Sequence, residues 1–218
     1  MASEVDICNL SVSHIGEEAT ISSIRPPEGG PIAETCARFY PVARDICLEQ
    51  HMWNFATRRQ NLSEVTNDRS NWQYAYAKPS DCVRVISILP ECATSEQEGD
   101  TMDYVIETLE NGSEAIFTNE PNAHIKYIRR VTDTTKFTPL FVSAVSWLLA
   151  SYIAGPITKK SNLKTSCYQI HITELNKAIA MDSNARHLKT LENHRPEWIQ
   201  ARGNDTNYYD PFGRNRKV

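Results

Sequence analysis

The sequence lacks the short motifs that commonly identify an enzyme or a metal protein. It contains no P-loop, GxGxxG, GxSxG or HExxH pattern. Its six cysteines are scattered, and none forms a CxxC pair. Such spacing favours reduced, buried thiols in a cytoplasmically made chain over a disulfide framework or a zinc ribbon. These absences disfavour the common catalytic and metal-binding classes.

Membrane-spanning and secretory signals are also missing from the sequence. No stretch approaches the roughly 20 consecutive apolar residues of a membrane span. The first residues, MASEVDICNL, lack the basic and apolar regions of a secretory signal. With 40% hydrophobic residues among 218, there is enough apolar material for a core. We expect a soluble globular protein made in a cytoplasm.

Positive charge is absent from a long central stretch. Between Glu91 and Glu120 there are nine acidic residues and no Lys or Arg. Residues 183–218 carry seven Lys or Arg against four acidic residues, so a basic end follows an acidic body. Solvated faces would explain this pattern, and so would two surfaces that meet different partners. The charge pattern leaves both readings open.

Helical patterns occur at both ends of the chain. Apolar spacing predicts helices over 4–15 and over 31–51, with a kink or a break at Pro41 inside the second. Thr138 and Pro139 are a suitable cap and first residue for a third helix, which Gly155-Pro156 would end. A fourth helix is predicted over about 161–183.

The middle of the chain reads as β-structure. Residues 53–132 alternate in polarity or are rich in β-branched residues, which predicts five or six short strands. Asn111-Gly112 is suited to a tight hairpin turn, because both residues tolerate positive φ. Beyond residue 193 the sequence is polar, with Pro and Gly and little periodicity, which predicts an extended tail.

The predicted fold class is therefore α+β, a helical bundle of about four helices with an inserted β-rich subdomain and an extended C-terminal tail. The bundle would comprise 1–52 and 137–190, the insertion 53–136, and the tail 191–218. Trp53 and Phe55 lie where the helical period changes to a strand period. We predict that they anchor the junction between bundle and insertion.

Two polar pairs on predicted helices are candidate reactive centres. Cys47 and His51 are four residues apart and could share a metal ion, but no further ligand is near in sequence. His171 and Glu174 could act as an acid–base pair, although a solvent-facing polar contact is more common. Carboxylate pairs are too abundant to indicate a glycosidase.

Two basic dipeptides, Arg58-Arg59 and Arg129-Arg130, fall on predicted strands. They could contact phosphates of a nucleic acid, but the acidic body disfavours duplex binding as the main function. Salt bridges are the simpler interpretation.

The basic end carries large side chains in a segment with little means of packing on itself. Aromatic residues and Arg dominate interface energetics. We predict that this tail binds the neighbouring subunit or a second protein rather than folding back on its own domain. The candidate interface residues are Trp198, Tyr208, Tyr209, Phe212, Arg214 and Arg216.

Three segments carry a resemblance to a known family: ARFYPVARDICLEQHMWNFATRRQNL, YAYAKPSDCVRVISI and IKYIRRVTDTTKFTPLFVSAVSWLLASYIAGPIT. In this order and spacing they resemble the tail tubular protein A family, the head-to-tail adaptors (connectors) of short-tailed, podovirus-type bacteriophages. The resemblance runs from about residue 5 to residue 182. Its most specific pieces are WNFA (53–56), PSDC (79–82) and Thr132-Asp133 ahead of 137–154.

The resemblance implies a structural virion protein. Adaptors of this family form a ring, commonly of twelve subunits, between the portal protein and the tail nozzle, a tail tubular B-like protein. Double-stranded DNA passes through the lumen without sequence-specific binding, and a tail fibre is a further expected partner. No enzyme activity, metal or cofactor is implied, and no membrane. The implied location is the head–tail junction of the virion, after assembly in the host cytoplasm.

An acidic lumen would repel DNA phosphates over about 8–10 Å at ordinary salt. The central acidic stretch is a candidate lining. Its candidate residues are Glu91, Glu96, Glu98, Asp100, Asp103 and Glu107. The alternatives to an adaptor are a small peptidoglycan hydrolase of the phage tail and a nucleic-acid-binding module.

Overall fold

The fold is a mixed α+β arrangement in a computed structural model that describes residues 2–18, 20–90 and 102–185. Within these residues there are four α-helices. They are α1 (Glu4–His14), α2 (Pro31–Gln50), α3 (Pro139–Thr158) and α4 (Ser161–Asn184). Two helices therefore precede the strands in the chain and two follow them. The predicted number of helices is confirmed for this part of the chain.

Local signals explain where α1 and α3 begin. Ser3 and Asp6 form a reciprocal capping box, in which each side chain accepts a hydrogen bond from the other residue's backbone N–H. The Thr138 hydroxyl accepts from the backbone N–H of Phe141 at 3.3 Å, and Pro139 occupies the first helical position. The cap of α3 was predicted from the sequence, whereas α1 was predicted from apolar spacing and its capping box was not.

Contrary to the sequence prediction, α2 does not break at Pro41 and α3 does not end at Gly155-Pro156; a kink at Pro41, the alternative to a break, stays a prediction. α2 continues through Pro41, and α3 continues past Gly155-Pro156 to Thr158, where Lys159 ends it with a φ of 55°. A proline removes one helical hydrogen bond, whereas burial of the surrounding residues acts over the whole helix. In α2, Tyr40 and Ala43 on either side of Pro41 are fully buried. Packing therefore outweighs the local effect.

The described residues between α2 and α3 form seven strands, rather than the five or six predicted. They are β1 (Thr57–Asn61), β2 (Glu64–Val65), β3 (Tyr74–Ala77), β4 (Cys82–Leu89), β5 (Tyr104–Thr108), β6 (Glu114–Thr118) and β7 (His124–Arg129). The additional strand is β2, whose two residues are too few to show an alternating pattern.

The strands form two antiparallel sheets. One has the order β1-β7-β4, and the other has the order β2-β3-β6-β5. In the β5–β6 hairpin, Thr108 pairs with Glu114, and Gly112 has a φ of 82°. Asn111, which was expected to tolerate positive φ in this turn, does not adopt it. Its side chain instead accepts from the backbone N–H of Ser113 at 2.9 Å, as in an Asx turn.

The largest core cluster joins residues of all four helices to Trp53, Ala56 and Ile128. Two smaller clusters lie among the strands. α3 is central to the first cluster: it packs against α1, α2 and α4 and buries ten of its 20 residues.

By length and composition alone, α3 could cross a membrane, so the expectation that no stretch approaches such a span was wrong. A helix buried on several sides in a protein core passes the same test, because both environments select apolar side chains.

Candidate functional site

The turn between α2 and β1 is built around Trp53. This side chain is fully buried, and its indole N–H donates to the carbonyl oxygen of Cys47 in the last turns of α2 at 2.8 Å. The carbonyl oxygen of Trp53 accepts from the backbone N–H of Ala56 and of Thr57, at 3.1 and 2.9 Å. Trp53 thus fixes both the end of α2 and the tight turn that starts β1.

Four aromatic rings converge at this turn. Trp53 meets Phe141 of α3 edge to face, with ring centroids 5.0 Å apart. Phe55 lies 5.1 Å from Phe141 and 5.7 Å from Phe137, and Phe137 lies 4.8 Å from Phe141. Such tilted pairs are the favoured aromatic geometry. The structure therefore brings Trp53 and Phe55 together with the beginning of α3.

Asp182 connects the last turn of α4 to the same place. Its two carboxylate oxygens accept from the backbone N–H of Asn54 at 3.3 and 3.1 Å, and its carbonyl oxygen accepts from the Asn54 amide at 2.8 Å. The His51 ring nitrogen Nε2 lies 3.3 Å from the carboxylate. The sequence analysis missed Asp182. One signal was available, since an acidic residue in the last turn of a helix opposes the helix dipole.

A second polar centre is Asp81, just before β4. Its carboxylate accepts from the Tyr127 hydroxyl at 2.9 Å and lies 3.7 Å from the Arg58 guanidinium. Its carbonyl oxygen accepts from the backbone N–H of Arg130 at 2.6 Å. Burial, followed by the hydrogen bond to Asp81, raises the pKa of Tyr127 to about 12. Tyr127 therefore stays neutral and serves as a hydrogen-bond donor.

The two basic dipeptides do not form one basic patch. Arg58 and Arg59 are consecutive in β1, so their side chains point to opposite faces of the sheet. Arg130 lies beside α2, with its Nε 3.0 Å from the Asp45 carboxylate. Arg58 and Arg130 thus pair with carboxylates of this same chain.

The pairs considered as reactive centres are engaged in packing. Cys47 is fully buried and His51 faces Asp182, so they do not converge on a common ligand position. Nδ1 of the buried His171 lies 2.8 Å from the Ala144 carbonyl oxygen. Glu174 contacts Lys177 at 2.7 Å. The described residues hold no group of three metal-ligating side chains.

A cleft of about 720 Å³ lies between α2 and the sheets. Four of the five charged side chains at its wall form two ion pairs, Asp45 with Arg130 and Lys78 with Glu114 at 2.7 Å, and the fifth is Glu49. The lining also contains Ser80, Cys82 and Ser113.

Two of the six candidate lumen residues lie within the described residues. Asp103 and Glu107 are both exposed, and Glu107 lies 3.2 Å from the Arg69 guanidinium. The other four, Glu91, Glu96, Glu98 and Asp100, fall outside the described residues.

The tail candidates also fall outside the described residues. They are Trp198, Tyr208, Tyr209, Phe212, Arg214 and Arg216. Their interface role remains a prediction from sequence.

A scan against protein-family models found no match, and a search of curated proteins found none either.

Proposed function

We propose that this chain is a non-enzymatic head-to-tail adaptor of a short-tailed bacteriophage. Copies of it would form a ring, of about twelve subunits by the resemblance, between the portal protein and the tail nozzle. Its location would be the virion tail at the head–tail junction. The proposal rests on the resemblance together with the geometry of the residues that carry it.

The single observation that supports it best is where those residues meet. Ala56, Asp81 and Phe137 belong to the three most specific pieces of the resemblance and are far apart in the sequence. The consecutive residues Arg129 and Arg130 donate their backbone N–H groups to Ala56 and Asp81, at 3.0 and 2.6 Å. Phe137 packs on the Phe55 ring, next to Ala56. The residues that carry the resemblance thus lie where the helices meet the sheets. Such a location is expected for a structural protein, in which these residues would maintain the fold.

The finer architecture belongs to the same proposal. We propose a bundle formed by 1–52 with 137–190 and a β-rich insertion over 53–136. All seven described strands lie between α2 and α3 in the chain, and the largest core cluster draws on all four helices. Trp53 and Phe55 would then anchor the junction of the two parts.

The lumen and the tail complete the proposal. Exposed carboxylates such as Asp103 and Glu107 would face the passing DNA and repel its phosphates, while the C-terminal tail would bind the portal protein. A nozzle protein and a tail fibre are the expected further partners. No cofactor and no membrane have a part in this mechanism.

The test is assembly with the portal protein of the same phage. The two proteins would be mixed and the product weighed by native mass spectrometry, then imaged by cryo-microscopy. We expect a ring stacked on the portal. A chain that stays monomeric and ignores the portal would refute the adaptor function.

Deletion of residues 195–218 separates the role of the tail from that of the remaining chain. We expect the shortened chain to keep its circular dichroism and its melting temperature but to lose portal binding. Unchanged binding would reject the proposed role of the tail alone.

A further inference from the structure

The first half of α4 presents basic and apolar side chains outward. Lys164, Tyr168 and Ile172 are spaced at i, i+4 and i+8, so they lie along one side of the helix. Tyr168 is 49% exposed and Ile172 is 43% exposed. Lys159 and Lys160 precede the helix and are also exposed. We call these five residues the basic α4 surface; none of its lysines has an ion-pair partner among the described residues.

The start of α4 adds a shape feature to this surface. A depression of about 470 Å³ is lined by Lys159, Lys160, Asn162, Leu163 and Ser166. The first turn of α4 has no side-chain cap. Its free backbone N–H groups and the helix dipole add to the charge of the lysines. An acidic side chain from another molecule would be favourable there.

An acidic surface lies at the other end of the sequence. Residues 1–36 contain six acidic residues and one Arg. The Asn9 side chain binds the backbone of Ile21 through two hydrogen bonds of 2.7 and 3.0 Å, which holds the following loop against α1. Leu10, one helical turn after Asp6 on α1, is 40% exposed. The acidic α1 surface consists of Asp6, Leu10, Glu17, Glu18 and Glu28.

We propose that the basic α4 surface of one copy binds the acidic α1 surface of the next copy. Two different surfaces of opposite charge favour a head-to-tail contact, since pairing either surface with itself would bring like charges together. Head-to-tail contacts close into rings when the rotation allows it. The inference therefore deepens the proposed ring by naming the surfaces that build it.

The size of the two surfaces fits assembly on a template. Tyr168, Ile172 and Leu10 are the exposed apolar anchors, and the surrounding contacts are between solvent-exposed charges, which bind weakly because water and salt screen them. One such contact is weak by itself. On the portal, neighbouring copies are held together, so many weak contacts act jointly.

Reciprocal charge reversal tests the pairing. In variant A, Lys159, Lys160 and Lys164 are each replaced by Glu. In variant B, Glu17, Glu18 and Glu28 are each replaced by Lys. Each variant alone would face like charge across the contact, so neither should form a ring on the portal.

An equimolar mixture of A and B should recover the ring. Every A–B contact would again join opposite charges, and alternation fits a ring with an even number of subunits. Native mass spectrometry of the portal complexes reads out all three samples. Recovery in the mixture also shows that both variants are folded. Rings formed by A alone or by B alone would overturn the inference.

Tyr168→Glu, with Thr173→Glu as its matched control, tests the apolar side chains of the basic α4 surface. Both place one negative charge on an exposed position of α4, but Thr173 lies on the opposite side of the helix from Lys164. We expect Tyr168→Glu to reduce ring formation by about tenfold or more, whereas Thr173→Glu should have no effect. Equal effects of the two substitutions would count against the surface.

The experiment separates this inference from the adaptor function. If the natural chain forms a ring on the portal and both reversed variants do so too, the function stands and the surfaces are wrong. If the natural chain self-associates through these surfaces but never binds the portal, the surfaces stand and the function is wrong.

Discussion

Asn54 and Asp182 are 128 positions apart in the sequence, yet they are joined by three hydrogen bonds. Through them the last turn of α4 is attached to the turn between α2 and β1. Asp182 is 9% exposed, so its carboxylate has little access to solvent and depends on these partners. The contact thus joins α4 to the turn at which the chain leaves α2 and enters β1.

Replacing Asp182 by Ala removes the two hydrogen bonds to the carboxylate and keeps the one to the backbone carbonyl. The backbone N–H of Asn54 loses its carboxylate acceptor in a partly buried place, which we expect to lower the free energy of unfolding by about 1–3 kcal/mol. Urea denaturation followed by circular dichroism measures the loss. The exposed Asp103→Ala is the control and should change little. Equal stability of the two variants would contradict the assigned role of Asp182.

Trp53 provides a second test of the same joint. Trp53→Ala should lower the free energy of unfolding by about 3–5 kcal/mol, because it empties a fully buried aromatic site. Trp53→Phe keeps most of the packing but leaves the Cys47 carbonyl without its donor, at a cost of about 1–2 kcal/mol.

The half-buried Trp72 is the matched control for Trp53, since it packs at the smaller cluster of the second sheet. Trp72→Ala should destabilise the protein less than Trp53→Ala does. The reverse order would show that the aromatic joint is not the more important of the two sites.

Two histidines on either side of the α3 packing should make stability depend on pH. His14 stacks on Trp147, with ring centroids 3.7 Å apart, and His171 lies against the Ala144 carbonyl oxygen. Burial lowers the pKa of both rings below their ordinary value. Near pH 6.5 these two histidines therefore bind protons in the unfolded chain more readily than in the folded chain. The histidine contribution is complete above about pH 6.5 and is lost as the pH falls below it.

Denaturation at pH 7.5 and at pH 5.5 measures this dependence. The natural chain should be less stable at the lower pH. The double variant His14→Gln, His171→Gln should show a smaller difference between the two conditions, whatever its absolute stability. An undiminished pH difference in the double variant would assign the effect to other groups.

The hydrolase alternative makes an opposite prediction about activity. A peptidoglycan-clearing assay should show no clearing by the natural chain, because we propose a structural role and the sequence contains none of the common catalytic motifs. Clearing that is abolished by a Glu→Gln substitution, with Glu174→Gln as the first variant, would establish the alternative instead.

The sequence predicted what neighbouring residues determine. Thr138 with Pro139 marks the start of α3 by local hydrogen bonding and fixed φ, and that start is confirmed; the start of α1 was predicted from apolar spacing and is also confirmed. A break at Pro41 was wrong, since burial that only the folded chain provides holds α2 together, whereas a kink there stays a prediction. β2 was missed because its two residues are too few to show the alternating pattern of a strand.

The residues of the candidate site likewise fall into those that a local pattern indicates and those that only the fold brings together. Trp53 and Phe55 were found because the change of period beside them is visible along the chain. Their packing partner Phe141 and the acceptor Asp182 are distant in sequence, and no local pattern connects them. The surfaces that would contact another copy are harder still to predict from the sequence, because such a contact depends on the side chains of two molecules.

The order of the elements has a consequence during synthesis on the ribosome. α1 and α2 are made first, yet their apolar residues share one core with residues of α3, among them Phe141, Val145 and Leu149. That core cannot close until the strands have been translated and α3 has left the exit tunnel. Domains fold as units as they emerge, and incomplete ones expose apolar surface. The nascent first third of this chain therefore exposes apolar surface until α3 emerges, and it should depend more on chaperones than the complete chain does.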